Sequence, residues 1–173
     1  VFLAGSTDDT SIDLGGGHLI EPVANTSLVF LAELDENGEH LWSRAVATSP
    51  TEGDGNTFIE PLKLTLGQNG TLVLTGNFMG PLDFGAGELD LPGNPLAVKV
   101  FVAAFDATGQ PLWSERFGSQ PDGNTTISDT GLFLADTAVA ENGSVWPAGA
   151  VYGVLPVGDD VFTPAGRAAG FLA

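Results

Sequence analysis

Apolar and polar positions alternate along this chain in short runs, broken by Gly, Asn, Asp and Pro; that pattern predicts strands joined by turns. Residues 29–34 put Phe30, Ala32 and Leu34 on one face and Val29, Leu31 and Glu33 on the other. Residues 100–105 are apolar on both faces, which requires a strand lying between two layers. Residues 64–76 read as a hairpin around Asn69-Gly70, where the dipeptide suits a type I′ turn. A second hairpin joins residues 100–105 to 112–117 through Asp106-Ala107-Thr108-Gly109, with Asp capping the turn and Gly taking the left-handed position. Between the two hairpins runs an excursion from Met79 to Lys99.

The chain also matches itself. Residues 29–44 align with residues 100–115, 71 positions on, and eight of the sixteen pairs are identical, among them Asp35/Asp106, Gly38/Gly109 and Trp42/Trp113. Phe2-Leu3-Ala4-Gly5 returns as Val73-Leu74-Thr75-Gly76 and more loosely as Trp146-Pro147-Ala148-Gly149. Asp13-Leu14-Gly15-Gly16-Gly17 returns as Asp83-Phe84-Gly85-Ala86-Gly87, and Asp54-Gly55-Asn56-Thr57 as Asp122-Gly123-Asn124-Thr125. A third copy of the Val-Phe-Leu-Ala strand opens at Gly170-Phe171-Leu172-Ala173. The unit is therefore a four-stranded antiparallel meander, present as three strands, then four, then three. Residues 1–57, 58–131 and 132–173 are the expected partial, complete and partial units of one continuous repeat domain. The two-sided burial of residues 100–105 selects blades of a β-propeller over a two-sheet sandwich, which would leave one face polar. Ten strands cannot close a ring of four to eight blades. The expected whole is thus an all-β fold of about 2.5 repeats of roughly 71 residues, completed by a longer chain or a multi-copy assembly.

The succession apolar-Thr/Ala-Gly, Asp-Phe-Gly-Ala-Gly and Val-Phe-Val-Ala-x-Phe-Asp-x-x-Gly-x-x-Leu-Trp-Ser resembles the bacterial SBBP-type (seven-bladed β-propeller) repeats of large secreted proteins from myxobacteria and their relatives. The resemblance covers nearly the whole chain and speaks for the fold. It implies an extracellular or cell-surface protein with no shared active site. The repeat departs from the family in being longer than an ordinary blade of about 40–50 residues.

Composition narrows the chemistry. The net charge is −17, with 22 Asp and Glu against 5 Lys and Arg, so a nucleic acid would be repelled and anionic lipid disfavoured. No apolar run is long enough for a spanning helix, and membrane insertion is not expected. The chain has no cysteine, which excludes disulfides, thiolate metal sites and a cysteine nucleophile. Its two histidines, His18 and His40, do not recur, and no Gly-x-Ser-x-Gly elbow exists. No catalytic residues are expected, and no bound cofactor beyond calcium. The Asp-Gly-Asn-Thr loops offer oxygen ligands on tight turns, so Asp54, Asn56, Asp122 and Asn124 are the candidate Ca²⁺ ligands, with help from Glu52, Glu60 or Asp129. Asx turns explain the same loops without metal. Trp42 and Trp113 are expected to be structural anchors, with sugar stacking as the functional alternative. Three functions follow. The first is a non-catalytic structural or interaction module whose partners are other proteins or copies of itself. The second is a glycan-binding or Ca²⁺-dependent adhesin module, and the third is part of a propeller hydrolase or lyase with its active site elsewhere.

Overall fold

A computed structural model describes residues 1–7, 11–17, 28–47, 58–89, 97–118, 131–157, 160–165 and 168–172. These residues form an all-β fold of antiparallel sheets. The first sheet contains β1 (Phe2–Thr7), β2 (Leu28–Leu34) and β3 (His40–Ala47) in that order. The second contains β4 (Phe58–Leu66), β5 (Leu72–Met79), β6 (Lys99–Phe105) and β7 (Pro111–Gly118), the expected four-stranded meander. The third contains β8 (Gly131–Val139), β9 (Val145–Tyr152) and β12 (Ala168–Leu172). The sequence pattern did not announce a further hairpin, β10 (Leu155–Val157) with β11 (Asp160–Phe162). It occupies the third unit's excursion, where Pro156 and Val157 replace the Asp83-Phe84 of the second.

The second sheet lies between the other two. Strand β4 rests on β1 and β2, while β8 rests on β4, β5 and β6. Every residue of β6 is buried. Its Phe101, Ala103 and Phe105 join Val29 and Leu31 of β2 in the larger core, and its Val100 joins Leu132, Leu134 and Val151 in the smaller one. The strand read as apolar on both faces therefore is covered on both. Fully burying each such Phe or Leu side chain contributes about 1.5–3 kcal/mol. The excursion after β5 folds back onto the same core: Leu82, Phe84 and Leu89 are buried, and the Phe84 ring lies 4.9 Å from that of Phe101.

One cross-strand pair recurs in all three sheets. Gly5 faces Phe30, Gly76 faces Phe101, and Gly149 faces Phe171. In each case the Phe ring lies so close to the glycine that an added Cβ would strike it. Glycine is needed there because the ring and, in the second and third sheets, the Glu60 and Phe133 carbonyl oxygens occupy the space of a side chain. Opposite the last two glycines the first strand carries a bulge, between Pro61 and Lys63 and between Leu134 and Asp136. Bulges also slip the ladder between Glu33 and Leu34 and between Ala104 and Phe105, leaving Leu41 and Leu112 unpaired and exposed.

The hairpin turns share one geometry, and the type I′ expectation at Asn69-Gly70 is corrected. Gln68–Gly70 is a 3₁₀ turn; Gly70 has a φ of 78°, and the Gly67 N–H donates to the Thr71 carbonyl at 2.7 Å. The same closure joins Asp35 to Glu39, Asp106 to Gln110 and Ala140 to Ser144, each with a glycine of positive φ one residue before the last. Three residues in the loop, with one in the left-handed region, make a type I turn with a bulge, in which Gly alone needs positive φ. Asn-Gly fits that position as well as it fits a type I′ turn.

Candidate functional site

The candidate ligands Asp54, Asn56, Asp122 and Asn124, with Glu52 and Asp129, lie outside the described residues, as does His18. Glu60 is an exposed residue of β4 paired with Asn77. Among the described residues, no three His, Asp or Glu side chains gather to hold a metal. The recurring aspartates that are described spend their oxygens on the backbone. Asp13 Oδ1 accepts from Gly15 and Gly17 N–H, at 2.8 and 3.1 Å, and Asp83 Oδ1 from Gly85 and Gly87, at 2.6 and 3.2 Å. The Gly15-Gly16-Gly17 run, expected as a bulge or bend, is such an Asp-centred bend. His40 is structural too: its ring fills the space beside Gly16, and Nε2 lies 3.0 Å from Ser43 Oγ.

The turn aspartates behave alike. Asp35 Oδ1 accepts from Glu39 and Asn37 N–H, and these bonds hold its carboxyl below the usual carboxylate value. Asp106 is lowered in the same way, first by the Thr108 hydroxyl and then by the Gln110 N–H. A carboxylate committed to its own turn is poorly placed to act as a base.

The two tryptophans differ. Trp42, at the end of the first sheet, packs against the larger core, 6.3 Å from the Phe2 ring, and donates from Nε1 to Glu33 Oε2 at 2.8 Å. Its ring is covered by the Asp106–Gln110 turn of the second sheet, where a Cβ on Gly109 would overlap it. It is the anchor that the sequence predicts. Trp113, its equivalent, is 42% exposed. It lines a hollow of about 260 Å³ between the second and third sheets, together with Leu112 and Val73, Gln68 and Thr71 of the β4–β5 turn, and Glu141 and Asn142 of the β8–β9 turn. No family model and no curated protein matches the chain.

This hollow is the candidate site that Trp113 marks. The bulge leaves Leu112 unpaired and exposed beside Trp113, and the two tight turns complete the lining. It offers one aromatic face (Trp113), two primary amides (Gln68 and Asn142), one hydroxyl (Thr71) and one carboxylate (Glu141). Asn142 Oδ1 accepts from the Ser144 N–H at 3.0 Å, which leaves its amide N–H groups to donate. The set can stack a flat apolar ring and bond hydroxyl groups around it, but it holds no paired acid and base and no nucleophile with an adjacent histidine. Sequence reading named Trp113 and missed its neighbours, because the turns at 67–71 and 140–144 meet only when the sheets pack. No helix among the described residues is long and apolar enough to cross a membrane.

Proposed function

We propose that this chain is a non-catalytic structural or protein-interaction repeat module of an exported or cell-surface bacterial protein, built on the SBBP-type propeller plan. The observation that carries the proposal is the apolar, solvent-facing outer surface of the third sheet, with Phe133, Trp146, Tyr152 and Leu172 exposed on it. A chain of charge −17 that keeps such a surface is fitted for burying it against another protein. Asp13, Asp35, Asp83 and Asp106 support the same reading, since their oxygens are bound up in turns, and the His40 ring is packed beside Gly16. Incubating the folded chain with glycosidase, esterase, lyase and phosphatase substrates is expected to give no turnover. Turnover that disappears on substituting a residue of this chain overturns the proposal.

A second function, glycan binding, is favoured by the half-open Trp113 in its amide- and carboxylate-rimmed hollow. Titration with neutral oligosaccharides would then quench indole fluorescence saturably, and Trp113→Ala would remove the quench while Trp42 stays folded. An unchanged spectrum across the series eliminates that function.

A further inference from the structure

The second sheet meets its neighbours through two different faces. Toward the first sheet it presents Leu72, Leu74, Phe101 and Phe105. Toward the third it presents Val100 with Thr75 and Asn77, whose Oγ1 and Oδ1 lie 2.9 Å from Thr137 Oγ1 and the Leu134 N–H. By the internal repeat, each end sheet carries the same two faces, and one of them is open on each. On the third sheet Trp146 and Leu172 stand where the second has Val73 and Val102. Val73 and Val102 are 3% and 2% exposed, whereas Trp146 and Leu172 are 48% and 70% exposed. The Phe133 and Tyr152 rings, 5.8 Å apart and edge to face, extend this patch. Neither β9 nor β12 contains a charged residue. On the first sheet the open face is the opposite one: Leu3 is exposed where its equivalent Leu74 is fully buried.

We propose that these two open faces are the halves of one interface, and that the third sheet of one copy of this chain receives the first sheet of a second copy. The occupant follows from the molecule's own packing. The second sheet already accepts the third through the Val73/Val102 face, and it packs on the first through the Leu74/Phe101 face. An outer face of the first type thus matches an outer face of the second type, and both exist on every copy. The contact is heterologous, joining different patches, so copies associate head to tail. This inference rests on the repeat-module function and names its partner.

Sedimentation of the chain across micromolar concentrations tests it. The expected particle exceeds the 17.7 kDa of one chain. Trp146→Glu with Leu172→Glu, and separately Leu3→Glu, should each abolish association while leaving circular dichroism unchanged and melting equal to that of the wild type at dilutions where it is dissociated, because all three side chains are exposed. Mixing the two variant proteins should restore a particle of two chains, since each keeps the half that the other lacks. A wild-type chain that remains monomeric overturns the proposal. So does association that Leu3→Glu leaves intact, which would mean third sheets meeting each other, and so does a mixture that fails to associate. Enzymatic turnover would sink the module function without changing these masses, so the two failures are distinguishable.

Discussion

At the scale of the residue, single atoms decide the outcome. Gly76 faces Phe101 across the ladder and has the Glu60 carbonyl oxygen where a Cβ would sit. Gly76→Ala should therefore cost about 1–3 kcal/mol by overpacking, read as a lower denaturation midpoint with an unchanged slope. The glycine was visible in the sequence as a recurring letter, but its reason was not, because the ring that fills the space comes from 25 residues further along, at Phe101. Asp35 and Asp106 make a prediction about pH. Their hydrogen bonds favour the charged form, so the folded-state values lie below the ordinary 3.8. The stability they contribute is fully present above the unfolded-state value and is lost as pH falls through the lowered folded-state values. Replacing both by Asn should leave stability near neutral pH almost unchanged, since Asn Oδ1 still accepts from the turn, and should flatten the loss below pH 3.8. Urea midpoints measured along an acid series check this.

At the scale of the element, the strands were legible and the turns only partly so. The two-sided apolar run at 100–105 told of a covered strand, and β6 is buried along its full length. The meander order also followed from hairpin spacing. The turn at Asn69-Gly70 is not the expected type I′ turn because one dipeptide satisfies two turn types, and loop length decides between them. The β10–β11 hairpin was missed because three-residue strands carry too little pattern to register. Between sheets, polar pairs fix which strand meets which. The Lys63–Asp136 ion pair is exposed, whereas Asn77 is buried and its Oδ1 takes the Leu134 N–H beside the β8 bulge. Asn77→Ala leaves that N–H without its partner and should cost about 1–3 kcal/mol, whereas Lys63→Ala should stay within about 0.5 kcal/mol. Paired thermal melts of the two variants give the comparison.

At the scale of the whole molecule, a repeat puts equal faces on successive sheets, and what distinguishes the sheets is which of those faces is covered. The periodic sequence contained both faces, but their exposure is a property of packing and could not be read from one strand at a time. The Trp113 hollow has the same origin: its walls are turns 40 and more residues away from that tryptophan in the chain or on a neighbouring sheet. The middle sheet is held between two others, and the outer sheets keep Leu3, Trp146 and Leu172 exposed. Native-state hydrogen exchange, followed strand by strand at low and high protein concentration, tests this most directly. The amides of β5 and β6 should exchange slowest at both concentrations, and those of β1, β9 and β12 should gain protection as the concentration rises. Exchange in β6 as fast as in β1 and β12, with no dependence on concentration, would contradict it.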